Sequence, residues 1–213
     1  MATAFDYKKE YKDLYQPKKG PGLIRVPAMQ FVAVEGKGDP NAENGAYANA
    51  MALLYGISFT IKMSYLGAKK IEGYFPYVVP PLEGLWWMAD GMPGIDYGRK
   101  SEFCWISMIR LPEFVDQPVF DWAKEELARK KKLDPTAAHL FHWEEGLCVQ
   151  AMHTGPYDSE PSTVKGMVDY AGENGLQEEF VSGRYHHEIY LSDPRRTAPE
   201  KLKTIIRHPV KKA

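Results

Sequence analysis

The sequence predicts an α+β protein in which a strand–helix–strand–strand unit occurs twice and the two copies share an antiparallel sheet. Two observations lead there. The order of elements read over about residues 22–112 begins again after residue 136, and in both halves a β-branched or apolar run ends in a Gly/Pro turn that is followed by apolar residues at helical spacing. The halves share little residue identity, so the repeat rests on element order and turn position.

Residues 1–21 read as an arm. Its aromatics Phe5, Tyr7, Tyr11 and Tyr15 suit a short amphipathic helix lying over the body, and Pro17-Lys18-Lys19-Gly20-Pro21 breaks it. The main domain is expected over 22–213, with a first module at about 22–112, a connector helix at about 117–132 and a second module at about 136–210. Leu23 to Glu35 reads as a strand closed by Gly36-Lys37-Gly38-Asp39-Pro40. A helix follows, with Tyr47, Ala50, Met51, Leu54, Ile57 and Ile61 on one stripe and Asn41 or Asn44 as its cap. Strands are expected at Tyr74 to Val79, continuing through Leu82 to Met88 past Pro80-Pro81, and at Phe103 to Leu111. The connector, Val119 to Lys132, carries Phe120, Ala123 and Leu127 on one face and a Lys-rich end. In the second half a strand at Leu147 to His153 precedes the turn Thr154 to Asp158. A helix at Pro161 to Ala171 stops at Asn174-Gly175, and a last strand runs from Tyr185 to Leu191.

Composition narrows the function classes. The 213 residues carry a net charge of -1, which gives no field to attract a phosphate backbone, and no stretch approaches a membrane span. Nucleic acid and membrane are therefore not expected as partners, and a soluble, cytoplasmic protein is. Cys104 and Cys148 read as buried thiols. Five Trp and thirteen Tyr exceed the needs of a core this size, so some should line a surface for a flat ligand.

No nucleotide or nucleophile signature is present. Gly36-Lys37-Gly38 lacks a third glycine, and the six histidines form no H-E-x-x-H. His186 and His187 are adjacent on a predicted strand and point to opposite faces, so no metal site and no cofactor are expected. On that strand His186, Glu188 and Tyr190 share one face, and His187, Ile189 and Leu191 the other. Glu188 is either a solvated acid on an open sheet or, at the floor of a cleft, a general base or counter-ion for a cation. Trp86 and Trp87 must face opposite ways, with Trp86 the better candidate for a pocket. Tyr74, Tyr77, Trp143 and Tyr157 are further aromatic candidates, although core packing explains each singly. Glu144, Glu145 and Glu160 read as solvated charges.

The run YHHEIYLSDPRRTAPEKLKT, from Tyr185 to Thr204, resembles the C-terminal signature of GyrI-like small-molecule-binding proteins. A looser similarity spans about 22–210 through Leu82–Trp87 and His153–Tyr157. The resemblance implies two modules about a pseudo-twofold axis with a ligand cleft between them, and a glutamate, here Glu188, at the floor of an aromatic pocket. Regulator members add a DNA-binding domain, which the first 21 residues are too short to supply. The resemblance to stand-alone members that are cyclopropanoid cyclopropyl hydrolases implies detoxification of DNA-alkylating compounds. It casts Glu188 and Tyr190 as catalytic, with Trp86, Trp87, Tyr74, Trp143, Tyr157 and His186 as ligand-binding candidates. The other implied function is non-catalytic sequestration of planar drugs or hydrophobic cations.

Overall fold

Two 16-residue strands, β1 (Gly22–Lys37) and β4 (His139–Thr154), set the architecture, because each is long enough to hydrogen-bond two different neighbours in succession. The computed structural model describes residues 3–18, 20–43 and 45–213. β1 pairs with β4 over Gly22–Ala33 and with β3 (Phe103–Arg110) over Phe31–Lys37. β4 in turn runs on to pair Cys148–Thr154 with β7 (Lys203–Lys212). With β2 (Leu82–Met88) and β6 (His186–Tyr190) between them, the antiparallel order β4-β1-β3-β2-β6-β7 returns to β4 and closes a barrel-like sheet. A short β5 (Leu176–Glu178) extends β7. Each half of the chain contributes three consecutive staves, ordered first, third, second.

Closure gives the sheet an inside and an outside, and period-2 alternation sorts every strand between them. One apolar cluster takes Phe31, Leu85, Ile106, Cys148, Ile189 and Ile205 from all six staves, so it is the interior. The outer face carries the helices. α3 (Ala46–Lys62) and α4 (Gln117–Lys131) pack over β1–β3 on Val32, Trp105 and Ile109, while α5 (Pro161–Glu173) covers Val149, Ala151 and Ile206. Among the described residues no helix is long and apolar enough to cross a membrane.

The arm plugs one end of the barrel. Two single-turn helices, α1 (Tyr7–Glu10) and α2 (Lys12–Tyr15), bury Tyr7, Leu14 and Tyr15 in the interior cluster. The Arg110 guanidinium lies 4.6 Å from both the Tyr7 and Tyr11 ring centres, a cation–π clasp. Behind the arm sits a buried polar group. His187 Nδ1 faces Glu145 Oε1 at 3.0 Å and Nε2 faces Glu83 Oε2 at 3.1 Å; Arg207 reaches Glu145, Gln150 and the Leu14 carbonyl. Gln150 donates to the Asp13 carbonyl at 2.9 Å. Two acids thus balance an imidazolium and a guanidinium in the buried interior, and the same groups tether the arm.

Several sequence expectations change here. Tyr74–Val79 is not a strand, since Pro76, Pro80 and Pro81 lack the donors for a ladder; Tyr77 makes a single parallel bridge to Phe5 of the arm. Gly45 precedes α3, and Asn41 instead turns on Asp39 Oδ1, while Asn44 lies outside the described residues. α4 starts two residues before Val119 because the Asp116 side chain caps the Val119 N–H. β4 begins at His139, well before Leu147, and β5 and β7 had no predicted counterpart. Glu145 is buried rather than solvated, Glu144 is exposed as expected, and Cys104 is half-buried beside a buried Cys148.

Burial opposes the charge on His187, but Glu145 and Glu83 outweigh it and raise its pKa to about 9. Burial likewise opposes ionisation of Glu145, and His187 with Arg207 holds its carboxyl below the usual range. A group raised on folding stabilises fully below its unfolded pKa, near 6.5, and loses that contribution as pH rises through the folded value. Stability is therefore expected to fall between about pH 6.5 and 9, by on the order of 3 kcal/mol. Urea unfolding of wild type and His187→Gln across this range checks it, since the variant should lose the slope.

Candidate active site

The outer face of β6 presents His186, Glu188 and Tyr190 in the gap between α3 and the turn that precedes α5. Antiparallel register sets Gly84 of β2 opposite Glu188, Leu82 opposite Tyr190 and Trp86 opposite His186. Gly84 makes the site possible. With no side chain there, the Trp86 indole folds across it, and Nε1 donates to the Tyr190 hydroxyl at 3.0 Å. A Cβ on Gly84 would stand 2.5 Å from Trp86 Nε1 and 3.2 Å from the Tyr190 hydroxyl.

Glu160 arrives from the other side. His153 Nδ1 meets the Thr163 hydroxyl at 2.8 Å and its Nε2 meets the Pro156 carbonyl at 3.1 Å, which fixes the turn between β4 and α5. That turn projects Tyr157, whose ring stands edge-on to Tyr190 at 5.7 Å, and places the fully buried Glu160 at the start of α5. Glu160 Oε2 accepts from the Tyr97 hydroxyl at 2.7 Å, while Oε1 has no partner. His186 Nε2 lies 3.0 Å from Glu188 Oε1 and 3.8 Å from Glu160 Oε2. The donor atoms of Glu160, His186 and Glu188 all fall within 4.8 Å of one another, the one such gathering of His, Cys or acidic groups among the described residues. His186 Nε2 is engaged with Glu188, and Glu160 Oε2 with Tyr97.

Burial, reinforced by the Glu188 charge, pushes Glu160 up to about 10, so it keeps its proton at neutral pH. The same two causes raise Tyr157 to about 12 and Tyr190 well above its ordinary value. The hydroxyls at this site are therefore proton donors.

In front of Glu188 opens a cleft of about 1930 Å³, with Tyr47 and Tyr55 of α3, Trp86, Tyr97, Tyr157 and Tyr190 among its walls. Both halves of the chain line it. Glu188 is 6% exposed at its floor, while Tyr55 and Phe59 at the mouth are 40% and 47% exposed.

Of the residues singled out in the sequence, Glu188, Tyr190, Trp86 and Tyr157 meet in the cleft, and His186 stands directly behind Glu188. Four do not join them, and of these Tyr77 is buried in the interior cluster. Trp87 alternates inward and stacks on Tyr185 at 4.4 Å, and Trp143 lies edge-on to His187 at 5.5 Å on the interior side of β4. Tyr74 donates to the Lys62 carbonyl at 2.7 Å and packs on Tyr65 and Phe114. Glu160, read as a solvated charge, is buried in the site. Tyr97 and Gly84 were not singled out. Tyr97 sits in an aperiodic loop that gives no signal, and Gly84 declares itself only once the register is known.

A family model for the GyrI-like small molecule binding domain matches residues 21–211. The chain belongs to this family. Among solved structures, a hydrolase from Listeria innocua is 44% identical with a TM-score of 0.89, over 97% of this chain and 100% of that one. An uncharacterized conserved protein from the same organism is 45% identical with a TM-score of 0.90, again over 97% and 100%. The EcmrR C-terminal domain shares the fold alone, at 12% identity and a TM-score of 0.53 over 91% of this chain and 98% of its own. A search of curated protein sequences returns no significant match.

Gly84→Ala should displace the indole from Tyr190 and destabilise the chain by about 1–3 kcal/mol. Thermal unfolding with near-UV circular dichroism reads both effects, and an unaltered indole signal would contradict the close approach.

Proposed function

We propose that this GyrI-like chain binds planar hydrophobic small molecules in the cleft and hydrolyses those that carry a cyclopropane fused to a conjugated dienone. The observation that carries this reading is the Glu188 carboxylate at the floor of an aromatic cleft, backed by a second carboxyl, Glu160, that keeps its proton. The hydrolase description of the Listeria structures at 44–45% identity supports an enzyme of this general kind. The matching strand order of the two halves, and a cleft that draws on both, support reading them as duplicated modules about a pseudo-twofold axis.

The chemistry asks for a base and a hydrogen-bond donor set apart. Water attacks the cyclopropane methylene as one ring carbon–carbon bond breaks, and the electron pair moves into the dienone to form a phenolate. Glu188 takes the proton from water and Tyr190 donates to the developing oxyanion. The two residues lie on one strand face, roughly 7 Å apart along the backbone. Protonation of the phenolate completes the addition of one water molecule. Trp86, Tyr47, Tyr97 and Tyr157 supply aromatic surface for a flat substrate.

Sequestration without turnover is the second reading. The observation in its favour is the same carboxylate, which is a counter-ion for a hydrophobic cation stacked on these rings.

Incubation with a cyclopropane-fused dienone, followed by mass spectrometry for the product one water heavier, separates the two. Wild type should turn over, and Glu188→Gln should be slower by roughly 10²–10⁴-fold, the usual contribution of a general base. Product no faster than in buffer would end the hydrolase reading. Equal turnover by Glu188→Gln would end the role of Glu188. A planar cation that binds wild type but not Glu188→Gln, with no turnover, favours sequestration.

A further inference from the structure

Behind the cleft floor four side chains on three neighbouring strands form an unbroken file. Glu188 Oε1 is 3.0 Å from His186 Nε2, and His186 Nδ1 is 2.7 Å from His208 Nε2 on β7. His208 Nδ1 is 2.5 Å from Glu178 Oε1 on β5, and the Glu178 side chain is 26% exposed. His186 and His208 are buried, and the Phe180 ring stands edge-on to His208 at 5.0 Å. The file thus runs from the candidate base across the outer face of β6, β7 and β5 to solvent.

The partners at each bond limit where protons sit. Burial lowers the pKa of His208 and keeps its ring neutral, so with its Nδ1 proton donated to Glu178 its Nε2 is an acceptor, and His186 donates to it from Nδ1. His186 Nε2 then shares one further proton with Glu188. That proton has two seats, on nitrogen as imidazolium and carboxylate, or on oxygen as imidazole and carboxylic acid. Only the first leaves Glu188 able to accept a proton.

We propose that Glu178, His208 and His186 are positioning residues that seat this shared proton on His186 and so keep Glu188 in its proton-accepting form. The proposal rests on Glu188 being the working group of the cleft. Donation from His186 Nδ1 into His208, backed by the Glu178 carboxylate, is the arrangement that favours an imidazolium. The other titratable groups facing the pair are Glu160 from the start of α5, Tyr97 and Tyr157 from loops, Tyr190 beside Glu188 and Tyr47 from α3. All five keep their protons at neutral pH. The negative charge in direct contact with the file beyond the cleft is then Glu178, with the Glu145 carboxylate acting on His208 from the inner face of the sheet. During turnover Glu188 takes a proton from water on its free oxygen and later yields it to the phenolate. The file ends as it began.

The test pairs rate–pH profiles with ¹⁵N NMR of histidine-labelled protein, in wild type, His208→Leu and Glu178→Gln. With the support removed, the shared proton moves to Glu188, and a second deprotonation is needed to free the base. The acid limb of kcat should move up by about one pH unit, roughly tenfold in rate below the limb, with KM unchanged. The His186 ring signals should pass from the imidazolium to the neutral pattern. A wild-type acid limb together with a wild-type His186 pattern in the variants would overturn the proposal. Glu178→Gln, at a partly exposed position, serves if His208→Leu does not fold. If wild type turns nothing over, the hydrolase reading falls, and NMR of the free protein alone decides the proposal: an altered His186 pattern in Glu178→Gln supports it, and an unchanged one overturns it.

Discussion

Closure of the sheet through the pairing of β4 with β7 is the constraint on which both polar systems of this protein depend. An open sheet would leave one face of β6 in water. Closed, with helices outside and the arm inside, it surrounds both faces, and alternation along five residues splits His186, Glu188 and Tyr190 from His187 and Ile189. Two buried charge networks then stand back to back on one strand. The inner one, centred on His187, is sealed by the arm and holds the barrel end together. The outer one, centred on Glu188, opens on the cleft.

This division explains why two adjacent histidines have such different surroundings. His187 lies fully buried between two glutamates, whereas His186 has a histidine on one side and the candidate base on the other. For His187 the two acids hold the ring charged. Inside, the charge neutralises a buried pair of acids. Outside, the His186 ring faces the carboxylate proposed to do chemistry.

Much of this was legible in the sequence, because local pattern reports local geometry. Helical spacing located α3, α4 and α5, and alternation put His186, Glu188 and Tyr190 on one face and turned Trp86 away from Trp87. What the pattern did not reveal depends on contacts between distant segments. β7 contains Pro209 and a mixture of charges, and its strand character comes from β4 on one side and β6 on the other. Glu145 and Glu160 look like surface acids until His187 and Tyr97, 42 and 63 residues away in sequence, are brought against them. Trp143 was placed with the cleft because aromatic character alone does not say which side of a closed sheet a residue faces.

The breadth of the cleft has a consequence for selectivity. Glu188 sits deep, and the walls rise to exposed rings at Tyr55 and Phe59. A molecule large and flat enough to bridge floor and rim therefore serves as its own lid, excluding the water that would otherwise weaken every interaction with the carboxylate. A small one leaves the floor wet. Discrimination between ligands then follows the area each one covers more than its detailed outline.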